Sequence, residues 1–239
     1  MEVKLDLHIH SEHSPDGRMA LDEIVACARA RGLQGVAVCD HDRALTETCN
    51  APDFLLIPGI ELSTDRGHLL GLFVTEQIEA RELDAAIDAV HACGGLAVMA
   101  HPFERSSDAQ RLDGIEVWNG RADRKNPQAN AMACALAQRA AKPVTAGSDA
   151  HLPEEIGNGV VTLEADALTL PAVRAALLRG ATAVDGRRGK ARYVAESQLT
   201  KRRRTHAGAA AYVKWALFAA KCCLQDITWK GETYHVLDR

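Results

Sequence analysis

The chain is poor in several features that would have decided its class at once. Its seven cysteines (27, 39, 49, 93, 134, 222 and 223) are odd in number and contain no CxxC pair. That argues against a disulfide framework or a thiolate zinc site and fits reduced thiols in a cytoplasm. No run approaches the roughly 18 apolar residues of a membrane span. The opening Met-Glu-Val-Lys-Leu-Asp enters a strand pattern at once, without signal-peptide anatomy, so a cytoplasmic location is expected. Net charge is only −4, which gives no global electrostatic capture of nucleic acid or anionic membrane. Internal repeats and low-complexity linkers are missing. Aromatic residues make up 4% of the chain, and the ten histidines equal Phe, Tyr and Trp together. The question the composition poses is where those histidines sit.

Two of them lie in Leu5-Asp6-Leu7-His8-Ile9-His10. Side chains alternate faces along a strand, so Leu5, Leu7 and Ile9 point one way and Asp6, His8 and His10 the other. Two imidazoles at i and i+2 make half of a metal site; equally, they fit a polar strand face. The Ser-Pro-Asp-Gly that follows reads as a turn and offers Asp16.

Further along, helical spacing over 19–31 stops at Gly32. Apolar strand runs follow at 35–39, 54–62, 67–74, 96–100, 114–118, 143–146 and 159–163, with helices expected at 80–93, 126–141 and 171–179. Strands that are apolar throughout, alternating with helices, predict a parallel sheet covered by helices. His8 and His10, Asp40 and His41, Glu61, His101, and Asp149 and His151 fall at the carboxyl ends of these strands, where such folds hold their sites. An open sheet would struggle to converge so many strand ends on one point, which favours a (β/α) barrel. Residues 1–186 are read as that barrel. Residues 187–239 are read as a basic irregular segment, a helix at 207–224 and a small hairpin of 227–229 with 233–236. The run 201–204 reads as a solvated basic turn. The last helix, with Trp215 and Phe218, is expected to pack on the barrel, with docking to a partner or membrane surface as the lesser alternative.

Six imidazoles (His8, His10, His41, His68, His101, His151) and three carboxylates (Asp16, Glu61, Asp149) gathered in one cleft would be costly to bury without cations. Nine ligands exceed one tetrahedral zinc and suit two or three divalent ions around a bridging carboxylate. Nitrogen and oxygen donors without thiolate fit Zn, Mn or Fe. Cys39 turns away from Asp40 and reads as core. His13 is a rival to Asp16. Asp40 reads as an orienter of a ligand or a proton donor. Arg105 and Arg121 are candidate phosphate clamps or ordinary loop arginines. Glu116 and Asn119 are candidates to line the pocket.

The ordered set H-I-H-S, S-P-D-G, C-D-H-D, P-G-I-E, G-H-L-L-G, A-H-P-F and G-S-D-A-H resembles the PHP (polymerase and histidinol phosphatase) family over about residues 3–185. The resemblance implies a distorted seven-stranded (β/α) barrel with a trinuclear centre. One metal would take His8, His10, Glu61 and Asp149; a second would share Glu61 with His68 and His101; a third would take Asp16, His41 and His151. It also implies phosphate-ester hydrolysis by a metal-activated water on a small phosphorylated metabolite or nucleotide. Some relatives instead trim oligonucleotide ends, so a short nucleic acid is the alternative partner. A non-catalytic metal-binding interaction module is the alternative outside the enzymes.

Overall fold

The computed structural model describes residues 1–47, 51, 53–101, 109–124 and 126–238. Sixteen elements follow one another as β1 (Glu2–Ile9), α1 (Leu21–Ala30), β2 (Gly35–Val38), β3 (Leu55–Thr64), β4 (Gly67–Leu72), α2 (Leu83–Ala92), β5 (Leu96–Met99), β6 (Gly114–Asn119), α3 (Ala129–Ala140), β7 (Val144–Gly147), β8 (Gly159–Glu164), α4 (Leu170–Arg179), β9 (Ala183–Arg187), α5 (Ala191–Arg204), α6 (Ala209–Ile227) and β10 (Thr233–Asp238). The helices obey their sequence. In α2 the buried residues Leu83, Ala86, Ile87 and Val90 form one stripe, and the Glu82 side chain caps the helix by accepting from the Ala85 amide. Leu5, Leu7 and Ile9 of β1 are fully buried. Each such side chain contributes about 1.5–3 kcal/mol by leaving water.

The strands form one curled, mixed sheet in the order β10-β9-β8-β1-β2-β3-β4-β5-β6-β7. Strands β1 to β7 lie side by side in chain order, as a (β/α) barrel would place them. The expected seven parallel strands are nevertheless ten, and the sheet is not all parallel. β3 and β4 form an antiparallel hairpin closed by Asp65 and Arg66. A parallel crossover needs a dozen or more residues, and this connection has no room for one. β4 with β5, β1 with β8, β8 with β9 and β9 with β10 are also antiparallel.

The sheet curls until the end of β7 meets β1. The Asp149 amide donates to the His8 carbonyl and the His10 amide to the Ala150 carbonyl, both at 2.8 Å. Gly147 makes this approach possible: a Cβ there would stand 2.2 Å from the Cβ of His8 and 2.8 Å from its nitrogen.

The C-terminal part departs most from expectation. Residues 191–204 are helical rather than irregular, and the basic run Lys201–Arg204 is the last turn of α5, where cations complement the helix dipole. The helix starts under a distant cap, since the Asp226 carboxylate accepts from the amides of Ala191 and Arg192. The expected hairpin does not form. Ile227 ends α6, and β10 pairs instead with β9, whose edge was open.

Candidate metal centre

The carboxyl ends of β1, β2, β3, β5, β6 and β7 converge on one edge of the curled sheet. Because β4 runs antiparallel, its beginning lies at that edge, which is how His68 joins: it pairs with Ser63 in the hairpin. Glu61 is fully buried at the centre. Its carboxylate is approached by His41 Nδ1 at 2.7 Å, His68 Nδ1 at 2.8 Å, His101 Nε2 at 3.2 Å, His10 Nε2 at 3.4 Å and His8 Nε2 at 3.5 Å. Asp149 Oδ1 lies 3.3 Å from His10 Nε2. Asp16 Oδ1 lies 3.4 Å from His151 Nε2 and 3.5 Å from His41 Nε2. All nine candidate ligands therefore meet in one place. Among the described residues, three groups have ligand atoms within 4.8 Å of one another: His8, His10 and Asp149; Glu61, His68 and His101; and His10, His41 and His151. His13 is turned away and pairs with Glu47 at 3.0 Å, so Asp16 is the member of that turn that reaches the cluster. His101 and Asp149 sit at φ of 28° and 55°. Such left-handed geometry in non-glycine residues is concentrated at functional sites.

Hydrogen bonds behind the ligands fix which nitrogens face inward. Glu116 Oε1 lies 2.9 Å from His8 Nδ1. A carboxylate only accepts, so Nδ1 carries a proton and Nε2 faces inward. Burial opposes a charge on this ring, but Glu116, Glu61 and Asp149 hold its pKa well above the usual imidazole value, and a metal there would take Nε2 in place of a proton. Ser14 Oγ donates to Asp40 Oδ1 at 2.6 Å and therefore accepts from His10 Nδ1 at 3.0 Å. His151 Nδ1 donates to the Asp149 carbonyl at 2.9 Å. His8 Nε2 and His10 Nε2 thus face each other at 3.2 Å, the Nδ1 proton of each ring being committed to an acceptor behind it. Between two ring nitrogens at that distance a proton is shared in the metal-free protein, and a divalent cation would replace it.

The acids agree. Burial pushes the Glu61 carboxyl up, but His8, His101 and His41 outweigh it and hold the group well below the usual range. Asp149 is likewise held down against burial by His8, His10 and His151. Burial pushes His41 down, and Glu61 carries it up to about 9. Asp16 Oδ1 and Glu61 Oε2 are buried oxygens whose near neighbours, His151 Nε2 at 3.4 Å and His41 Nδ1 at 2.7 Å, are not aligned to donate a hydrogen bond to them. Ionised acids, inward-facing imidazole nitrogens and unsatisfied oxygens in one cluster are the donor set that divalent cations complete, displacing protons from the imidazoles.

Asp40 makes no approach to a ligand ring. It accepts from the amides and hydroxyls of Ser11 and Ser14 and so holds the turn that carries Asp16. Arg121 borders the cleft, yet its Nε and Nη2 grip Glu155, and its Nη1 donates to Ser197. Arg105 lies outside the described residues. Glu116 does more than line the pocket: besides His8 it binds the His101 amide at 2.8 Å and Asn119 Nδ2 at 3.1 Å. Its position within the strand run 114–118 that ends on the same face is the sequence signal, but its partner lies 108 residues away. Ser14 carried only a turn signal. The cleft has a volume of about 460 Å3, and α5 and α6 form part of its wall through Val194, Gln198, Arg202 and Phe218.

A family model described as the PHP domain matches residues 6–119, and one described as PHP-associated matches residues 127–182. An uncharacterised protein of Methanocaldococcus jannaschii is 31% identical over 177 residues, which are 66% of this chain and 70% of that one. Among solved structures, a candidate metal-dependent phosphoesterase from Bifidobacterium adolescentis superposes with a TM-score of 0.53 at 21% identity, covering 74% of this chain and 96% of that one. A lesion-specific endonuclease from Pyrococcus furiosus superposes with a TM-score of 0.56 at 19% identity, covering 77% of this chain and 58% of that one.

Proposed function

The chain belongs to the PHP domain family, and from that membership and the cluster's chemistry we propose that it is a metal-dependent phosphoesterase acting on a small phosphate ester. The observation that carries this reading is the facing pair of ring nitrogens, His8 Nε2 and His10 Nε2, set beside Glu61 and Asp149. We read β1–β7 as a distorted (β/α) barrel, extended at its edge by β8–β10. Two or three ions of Zn, Mn or Fe are assigned: one to His8, His10, Glu61 and Asp149, one to Glu61, His68 and His101, one to Asp16, His41 and His151. Divalent ions there would supply Lewis acidity toward phosphate oxygens and lower the pKa of a water.

The chain's own residues do the rest. Glu116, Ser14 with Asp40, and the Asp149 carbonyl hold three imidazoles in the tautomer that presents Nε2. Arg121 fastens the turn after β6 to Glu155, whose Oε2 also accepts from the His151 amide at 3.1 Å, so we assign Arg121 a positioning role. The wall from α5 and α6 limits water around the ester and makes the site a pocket. Its volume of about 460 Å3 lies in the range that encloses small ligands, which ranks a metabolite or nucleotide above an oligonucleotide.

The test is phosphate release by purified, metal-replete protein from a panel of monoesters and nucleotides, with a labelled oligonucleotide alongside. Turnover lost in Asp149→Ala with the fold intact supports the enzyme. Trimming of the oligonucleotide alone transfers the reading to a nuclease. A metal-loaded protein that acts on nothing supports a structural module instead.

A further inference from the structure

Residues after 182 fall outside both family matches, yet they complete the cleft. Phe218 of α6 and Arg202 of α5 border it together with Arg124 from the turn after β6. The Arg124 guanidinium carbon lies 5.3 Å from the centre of the Phe218 ring. Its Nε is buried and has no hydrogen-bond partner, and burial presses the group below its ordinary pKa. Arg202 is held by neutral acceptors: Nε donates to the Ala211 carbonyl at 3.2 Å, and Nη1 donates to the Gln198 carbonyl at 2.8 Å and side chain at 3.2 Å.

Neither arginine has a carboxylate partner among the described residues. Their neighbours differ, since Arg121 pairs with Glu155 and Arg188 with Asp123. A half-buried guanidinium without a counter-charge is costly, and the cost is relieved when an anion arrives. The fixed stem of Arg202 leaves Nη2 free, and the Phe218 ring holds Arg124 in place. Both cations stand on the wall, whereas the assigned metal ligands make the floor. They are therefore placed for a different part of the substrate from the ester that reacts.

We propose that Arg124 and Arg202 form a second anion subsite, which receives a carboxylate or phosphate on the non-reacting end of the substrate while Phe218 and Val194 pack against its carbon frame. This rests on the phosphoesterase reading, and it makes the C-terminal helix pair the selector of substrate.

The experiment compares metal-loaded wild type, Arg124→Gln and Arg202→Gln on phenyl phosphate, 4-carboxyphenyl phosphate and 1,4-phenylene bisphosphate. Wild type is expected to favour the two esters with a second anionic group over phenyl phosphate at least about 10-fold in kcat/KM, and each substitution to cut that ratio about 10-fold or more, as loss of a charge-assisted hydrogen bond does. The better of the two esters tells carboxylate from phosphate. A wild-type ratio near one, or variants that lose kcat/KM equally on all three esters, overturns the proposal. If no ester is hydrolysed, the phosphoesterase reading fails by itself. The subsite is then judged by calorimetry on the same proteins with 1,4-phenylenebisphosphonate against phenylphosphonate. Selective binding that Arg124→Gln abolishes sustains it, and equal affinities overturn it.

Discussion

Replacing Glu116 by glutamine tests the account of the metal centre at its support. The substitution keeps the shape and removes one acceptor. Glu116 Oε1 takes the proton of His8 Nδ1, while Oε2 takes the His101 amide and Asn119 Nδ2. A glutamine satisfies one side only. With its oxygen toward His8, its NH2 meets two donors; flipped, its NH2 meets His8 Nδ1 and drives that ring toward the wrong tautomer. Glu116 is 1% exposed, so water cannot repair either arrangement. An unsatisfied buried donor costs about 1–3 kcal/mol. Loss of a hydrogen bond behind a ligand costs about 10–100-fold in metal affinity, which is about 1.4–2.8 kcal/mol, so the two routes agree. The assay strips the protein with chelator and titrates Zn or Mn back against a competing fluorescent chelator. The ion assigned to His8, His10 and Asp149 should weaken by that factor, and the one assigned to Asp16, His41 and His151 should hold. Wild-type affinity in a folded Glu116→Gln protein, or equal weakening of every ion, refutes the reasoning.

Other consequences are quicker to state. Ser14→Ala removes the link between Asp40 and His10 and should lower metal affinity about 10-fold, read in the same titration. Gly147→Ala forces β7 off His8 and should lower both the melting temperature and the metal content, by calorimetry and elemental analysis. Saturating metal at about 100 times its Kd should add about 2.7 kcal/mol, so stripped protein should melt roughly 5–10 °C lower. Arg204 donates to the carbonyls of Glu12 and Ser14 at 2.8 and 2.7 Å, so Arg204→Ala should speed amide exchange in residues 11–17 more than elsewhere.

The gathering of the candidate ligands was legible because most of these strand runs end in a histidine or acid and strand polarity carries those ends to one edge; His68 instead opens β4, which runs the other way. The hairpin of β3 and β4 was not read, although runs separated by so few residues leave no room for a parallel crossover. What stayed hidden lies in contacts distant along the chain. Nothing near Glu116 announces His8, and nothing near Ala191 announces the cap from Asp226. Helix α5 is too polar to show a strong apolar stripe, so its basic end read as a turn. The edge of β9 drew β10 away from a hairpin that local spacing favoured.

The wall on α5 and α6 also sets an order of events in synthesis. Once residue 151 has left the ribosome, every assigned ligand is available. Phe218 emerges some seconds later, at roughly 5–20 residues per second. In that interval the floor stands open to ions that need only its side chains, while any substrate gripped from the wall must wait. On the proposed reading, a nascent chain would hold its metal-binding residues before it acquires the wall that selects a substrate.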